Sequence, residues 1–310
     1  MFKLASPLSS HEAGQGFSTI ASRKPSVSFV AISVTAWFIM LQLCPCQTRG
    51  QHGTTPHIKH IVMGRCYSYS ALVNPGLSYD CEEIWRRFEE AVVHPTTCNV
   101  SVQDYHPMFN LMPQIWPCDK FLFWSKTRPL MHSYAAVLRH FWTLEDTLPG
   151  YMFNDLIWCG RDTESGFDHS SCPEWSACKN HPVHSLWRKA SQNFAEMACG
   201  NITVLLNGSV VNAFNRKSMF GSVELDSLNP ERVAHVNIKV VTNLEGPHVE
   251  SCNKGSIVSL IQILQLRGFR WTCSDTDQTL MSLQCIQRPE RSSSQKCANS
   301  LVHNKSLTSN

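Results

Sequence analysis

Twelve cysteines spread between Cys66 and Cys297 constrain this chain more than any other feature. Their spacing is wide and irregular, without the paired CxxC pattern of zinc sites, and the chain holds fourteen cysteines in all. A reduced cytosolic enzyme does not carry that many, so disulfides formed in an oxidising compartment are expected. An even number can pair completely, and sequence alone leaves the connectivity open. With 310 residues, 43% of them hydrophobic, there is ample material for one large domain or two modest ones. A net charge of +3 is too small to argue for nucleic acid, and no basic run or aromatic-basic platform supports such a partner.

The route to that compartment lies at the N-terminus. Val27 to Cys44 carry no charge over roughly 18 residues, the short end of what spans a bilayer. Lys3, Arg23 and Lys24 precede this run. Residues 1–26 are therefore expected to be a cytoplasmic tail and 27–44 a transmembrane signal-anchor in the lipid bilayer. The remainder then lies outside, as in a single-pass type II protein of the plasma membrane. A cleaved signal peptide is the alternative; the late start of the apolar run and the lack of a small-x-small site before Pro45 argue against it. Residues 45–65 read as a stalk, 66–285 as the globular part, and 286–310 as a polar tail without the hydrophobic signal of a GPI anchor. Glycosylation triplets at Asn99, Asn201, Asn207 and Asn304 agree with an outside location, each weak by itself.

Along the globular part, Asp80 reads as an N-cap with Glu83 at the capping-box position. Ile84, Trp85, Phe88, Ala91 and Val92 follow at helical spacing until Pro95 ends the run. Lys120–Trp124 has the form of a buried strand, which would place Trp124 at its carboxyl end, where ligands of α/β sheets bind; a core role is the plainer alternative. Pro182–Cys199 reads as a helix with Leu186, Trp187, Ala190, Phe194 and Met197 along one side. Ile202–Leu206, Val236–Val241, Phe269–Cys273 and Leu280–Cys285 are strand-like, with an amphipathic helix around Ile257–Leu266. Strands interleaved with helices imply a partly parallel sheet. The expected fold is α/β (α+β): a helical N-terminal lobe, a C-terminal lobe with a mainly parallel four-stranded sheet flanked by helices, and a cleft between them.

Two stretches mix acids with apolar residues in a way that demands explanation. Between Phe141 and Gly160, Glu145, Asp146 and Asp155 sit among Trp142, Tyr151, Phe153 and Trp158. Charges in such surroundings are costly to bury. The local reading is a helix start, with Thr143 as N-cap, Asp146 closing an approximate capping box, and a turn at Pro149-Gly150. In Phe220-Gly221-Ser222-Val223-Glu224, the glutamate stands between apolar neighbours, and Gly221 permits a close backbone approach. A strand-edge acid is the alternative there.

TLEDTLPGY with DLIWCG, FLFWSK, the Trp187 helix with FAEMAC, LLNGS and FGSVE together resemble the ADP-ribosyl cyclase/cyclic ADP-ribose hydrolase family from about Cys66 to Cys285. The resemblance implies an enzyme acting on NAD, NADP and cyclic ADP-ribose. It needs no metal or cofactor, since NAD is the substrate, and it is compatible with a homodimer. Glu224 matches the catalytic glutamate. Trp124 and Trp187 match pocket tryptophans, and Glu145 matches the acid that helps hold nicotinamide. Asp146 lies beside it in the same motif. Ser125, Lys126, Ser191 and Phe220 match positions around the phosphates and ribose. Asn154-Asp155 stands where an Asp-Asp pair is usual, and Met219 replaces a hydroxyl residue, which bears on product ratio and affinity.

The same resemblance implies the pairing Cys66–Cys81, Cys98–Cys178, Cys118–Cys199, Cys159–Cys172, Cys252–Cys273 and Cys285–Cys297. It also implies discontinuous lobes, residues 47–117 with 143–198 and 118–142 with 199–300. The rival function is a cell-surface receptor or adhesion module that kept the fold and lost the chemistry. The presence of Trp124, Glu145, Trp187 and Glu224 together argues for the enzyme.

Overall fold

The computed structural model describes residues 53–93, 96–138, 141–162, 164–244, 246–275, 277–287 and Cys297. The expected anchor, Pro95, the Asn304 triplet and most of the C-terminal tail lie outside these residues. Among the described residues, no helix is long and apolar enough to cross a membrane.

The folded body begins earlier than Cys66. Helix α1, Ile58–Ser68, buries Ile58, Val62, Met63 and Cys66 in the core. Ahead of it, Thr54 N donates to Asp168 O at 2.7 Å and Thr55 N to Ile157 O at 2.9 Å. The expectation of a stalk through residue 65 is therefore corrected. The stretch from 54 onward is part of the domain, and its apolar residues were too sparse beside polar neighbours to announce a buried face.

Helix α2, Cys81–Val93, buries Ile84, Trp85, Phe88, Ala91 and Val92. Asp80 Oδ1 accepts from Glu83 N at 3.0 Å, the N-cap bond that the sequence predicts. Glu83 itself bonds Arg86 and Arg87 along the exposed face instead of reaching back to the cap. Around Phe88 an aromatic cluster forms, with Phe153 at 4.6 Å and Trp158 at 5.4 Å between ring centroids. Each such pair contributes about 1 kcal/mol beyond simple burial. Trp158 Nε1 donates to Tyr105 Oη, which donates to the Pro182 carbonyl, so both polar tips are satisfied inside the core.

Among the described residues, four parallel strands, β1 (Leu122–Ser125), β2 (Gly200–Asn207), β3 (Val233–Val241) and β4 (Trp271–Ser274), stand in the order β1-β2-β3-β4. Between β1 and β2 run α3 (Arg128–Leu138), α4 (Leu148–Phe153) and α5 (Pro182–Met197); α6 (Ser256–Leu266) connects β3 to β4. Both faces of the sheet are covered, which is why the strands read as nearly continuous apolar runs. Phe123, Val204, Leu206 and Ile238 pack in one cluster with residues of α5 and α6, while Leu122 and Leu205 pack on the other face with Met131 and Tyr134.

The run Leu280–Cys285 is not a strand. It lies within helix α7, Gln278–Gln287, where Asp277 Oδ1 accepts from Leu280 N at 3.0 Å, and Leu280 and Leu283 bury against the second sheet face. A short apolar run fits either period, and here the acidic residue before it decides. β4 likewise sits slightly later than Phe269–Cys273, following the left-handed turn at Gly268 (φ 78).

Among the described residues, six disulfides join Cys66 to Cys81, Cys98 to Cys178, Cys118 to Cys199, Cys159 to Cys172, Cys252 to Cys273 and Cys285 to Cys297. The two that span 80 and 81 residues close the longest loops. On a chain-entropy basis, each restricts the unfolded chain by about 4–5 kcal/mol.

Candidate active site

A cavity of about 630 Å³ takes in β1, its carboxyl end and the segment Ser218–Glu224 beyond β2. That size suits a small-molecule ligand, and the carboxyl edge of an α/β sheet is where such ligands bind.

β1 brings Trp124 and Ser125 to the cavity. The next residue, Lys126, has φ 59, a left-handed backbone that is uncommon for a residue with a side chain and concentrates at functional sites. Lys126 lies exposed at the edge of the cavity, its Nζ donating to the carbonyls of Val211 and Asn212 at 3.1 and 2.9 Å. Asn207 Nδ2 donates to the Lys126 carbonyl at 3.1 Å and its Oδ1 accepts from Ser209 N at 3.0 Å, so this amide is committed to the turn.

Helix α5 carries Trp187 and Ser191 four residues apart, hence on one face, and both line the cavity. Opposite them, the turn Leu144–Asp146 is held by a capping box. Asp146 Oδ2 accepts from Thr143 N at 2.7 Å and from Thr143 Oγ1 at 2.8 Å. The Asp146 carboxylate thus closes the capping box expected from Thr143, and Asp146 does not line the cavity. Glu145, beside it, does, and its Oε2 is buried without a hydrogen-bond partner. The following turn needs Gly150, where a Cβ would come within 2.0 Å of the Leu144 carbonyl.

Glu224 ends a π-helical turn, Phe220–Glu224, a geometry found disproportionately at functional sites. Gly221 is required there because a Cβ would meet Asn215 O at 2.2 Å. Glu224 is only 7% exposed, and Ser191 Oγ donates to its Oε1 at 2.8 Å. Burial pushes its carboxyl up to about 7; the Ser191 hydroxyl opposes this, and the nearby charge of Glu145 adds to it. Phe220 is buried beneath the site, 6.3 Å from Phe123.

Asn154 and Asp155 form part of the rim, where Arg128 Nη2 donates to Asn154 Oδ1 at 3.0 Å and to Asp155 Oδ1 at 3.1 Å. Arg65 Nη1 fixes the same segment through the Met152 and Asn154 carbonyls. Among the lining residues that the sequence reading did not assign to the site are Arg128, Trp175 and His181. A tryptophan close to two cysteines, in CPEW, was the available signal for Trp175, which is 54% exposed. Nothing in the sequence singles out Arg128 or His181. Among the described residues, no cluster of three His, Cys, Asp or Glu side chains is placed to hold a metal ion.

A buried carboxylate lining an aromatic cavity at a sheet's carboxyl edge is the arrangement of a site that stabilises developing positive charge. Comparison with known proteins narrows this class. The profile of the ADP-ribosyl cyclase family matches residues 55–294, and the chain belongs to that family. It is 40% identical over 242 residues to ADP-ribosyl cyclase/cyclic ADP-ribose hydrolase 1 of Mus musculus, covering 77% of this chain and 80% of the mouse protein. Porcine CD38 complexed with a covalent intermediate, ribo-F-ribose-5'-phosphate, superposes with a TM-score of 0.70 at 37% identity, covering 73% of this chain and 98% of that one. The Aplysia cyclase complexed with substrate NGD and product cGDPR gives 0.73 at 31% identity, covering 79% and 98%.

Proposed function

We propose that this chain cleaves the nicotinamide–ribose bond of NAD, releasing nicotinamide and giving ADP-ribose and cyclic ADP-ribose, and that it hydrolyses cyclic ADP-ribose. The observation that carries this is Glu224, buried among Trp124, Trp187 and Phe220 with a neutral hydroxyl as its hydrogen-bond donor. NAD's nicotinamide is a cationic pyridinium that departs as a neutral base. No proton has to be delivered to it, unlike the sugar oxygen that two carboxylates handle in glycoside hydrolysis. Glu224 faces the anomeric carbon and either stabilises the oxocarbenium-like centre or traps it as an ester. The covalent intermediate held by the porcine relative supports the second course.

The buried, unpartnered Oε2 of Glu145 is suited to accept the N–H of the nicotinamide carboxamide. Ser125 and Lys126 are suited to the phosphates, and the two tryptophans to the ring faces. Water reaching the ribosyl centre gives ADP-ribose; folding of the adenine ring onto it gives the cyclic product, which stacking on Trp187 and exclusion of water favour. NADP fits the same scheme.

The protein is further read as anchored by residues 27–44 with its catalytic part outside the cell, a location that the six disulfides support. Exposed Asn99 and Asn201 suit glycosylation, whereas Asn207 is engaged in the Lys126 turn. The separate hydrophobic clusters on the helical side and around the sheet support two discontinuous lobes.

Incubating the purified protein with NAD and following nicotinamide by chromatography tests the activity. Release well above background is expected; none from folded protein would favour the receptor or adhesion reading. Protease added to intact cells should free the catalytic part, and a mature chain beginning after Cys46 in the medium would replace the anchor with a cleaved signal.

A further inference from the structure

Glu250 is 5% exposed, remote in sequence from every residue assigned above, and its carboxylate is fully engaged. Oε1 accepts from Asn212 N at 2.5 Å; Oε2 accepts from Ala213 N at 3.2 Å, from Ser256 N at 3.2 Å and from Ser256 Oγ. Asn212 has φ 55, and successive amides around a left-handed residue make a concave anion site, here filled by the protein's own carboxylate.

The other ends of these same peptide groups face Lys126. The unit that gives Asn212 N to Glu250 presents the Val211 carbonyl to Lys126 Nζ at 3.1 Å. The unit that gives Ala213 N presents the Asn212 carbonyl to Nζ at 2.9 Å. Two consecutive peptide dipoles therefore lie between an anion at their amide ends and a cation at their carbonyl ends, the favourable sense for both. Bonds with one charged partner are the strong ones, and here four of them share one strip of backbone.

We propose that Glu250 is a positioning residue for Lys126. It acts through the 211–213 peptides as an indirect ion pair that holds the ammonium at the cavity edge with one N–H left for a substrate phosphate. Lys126 needs such support: it is exposed, on a left-handed backbone, and has no carboxylate partner of its own among the described residues. Phe214 N, donating to Ser256 Oγ at 3.0 Å, clamps the far side of the strip to the start of α6. The proposal rests on the reading that Lys126 meets the phosphates of NAD.

The test is Glu250→Gln in the full-length protein, which keeps the shape but sets an NH2 against a backbone N–H. KM for NAD should rise roughly tenfold with kcat within about twofold, as for the loss of one charge-assisted contact made equally in ground and transition states. Cleavage of nicotinamide riboside, which has the scissile bond but no phosphate, should not change. In a Lys126→Met background, Glu250→Gln should add almost nothing. Independently of activity, acetylation of Lys126 by acetic anhydride, read by mass spectrometry, should be several-fold faster in Glu250→Gln.

Equal loss on NAD and on nicotinamide riboside, or unchanged Lys126 acetylation, would overturn the proposal. If the native protein releases no nicotinamide, the functional reading fails while the acetylation result still decides the relay. Should Glu250→Gln not fold, Lys126→Met replaces it. Hydrogen exchange in the 211–214 segment should then speed up several-fold, and unchanged exchange would overturn the relay.

Discussion

Ser191 Oγ donates to Glu224 Oε1 across 2.8 Å, joining helix α5 to the π-helical turn by a bond from a neutral donor to a buried acid. The hydroxyl favours the ionised carboxylate without neutralising it, leaving negative charge for the ribosyl cation. Ser191→Ala should push the Glu224 carboxyl higher still. The acid limb of kcat/KM against pH should move up by about one unit, with the largest loss of rate below neutrality. A pH profile superimposable on the native one would show that the bond plays no part in setting the ionisation.

Glu224→Gln preserves volume and hydrogen-bonding capacity but removes the charge. Losing one preorganised stabilising group elsewhere costs on the order of a hundred- to a thousand-fold, and this substitution should cost at least that, with NAD still bound. Turnover above roughly a tenth of native would defeat the assignment. Glu145→Gln should instead alter affinity and the ratio of cyclic to linear product, with a smaller loss of total turnover. Because the charge of Glu145 also raises the Glu224 carboxyl, the acid limb should shift down in that variant.

The same ionisation makes stability depend on pH. The Glu224 carboxyl rises from 4.5 in the unfolded chain to about 7 in the folded one. Between those values the native state holds a proton that the unfolded state has lost. The contribution is therefore fully present below pH 4.5 and is lost as pH rises through 7. Glu224→Gln has no such charge to bury. Its melting temperature should match native at low pH and exceed it increasingly toward pH 8, by an amount reflecting a few kcal/mol. Melting curves that stay parallel across this range would count against a perturbed acid.

Truncation provides another check. A soluble chain beginning at residue 53 keeps α1 and the Thr54 and Thr55 bonds to the segments at residues 157–159 and 168. One beginning at Cys66 removes Ile58, Val62 and Met63 from the core, each worth about 1.5–3 kcal/mol of burial, and should be insoluble or lack activity. Equal yield and turnover from both would contradict the packing of α1.

Much of this was readable from residues. The α2 face and the Trp187 helix each carry a helical period, and the apolar run Lys120–Trp124 overlaps β1, Leu122–Ser125. Leu280–Cys285 failed because six residues fit strand or helix alike, and the deciding Asp277 cap lies just outside the run. The segment at 54–65 went unread because its buried side chains, Ile58, Val62 and Met63, sit among polar residues such as His57, Lys59 and His60. The cap made by Asp146 was legible from Thr143 three residues earlier, whereas a carboxylate capping a turn and one meeting a ligand look alike in sequence. Arg128 and His181 reach the cavity through tertiary approach, which leaves no local pattern.

The π-helical turn at Phe220–Glu224 has a consequence for which changes of chain length the site tolerates. Such a turn is what one extra residue leaves in a helix, and the removal of any one of its residues would restore ordinary α-helical winding. Successive residues of an α-helix point about 100° apart, so the shortened turn would keep its composition while swinging the carboxylate from the ribosyl centre toward the protein wall. Outside Gly221, where any side chain would meet the Asn215 carbonyl, a substitution in Phe220–Val223 is a graded change, but a deletion there is a switch. The length of this turn is then under stricter control than most of its residues.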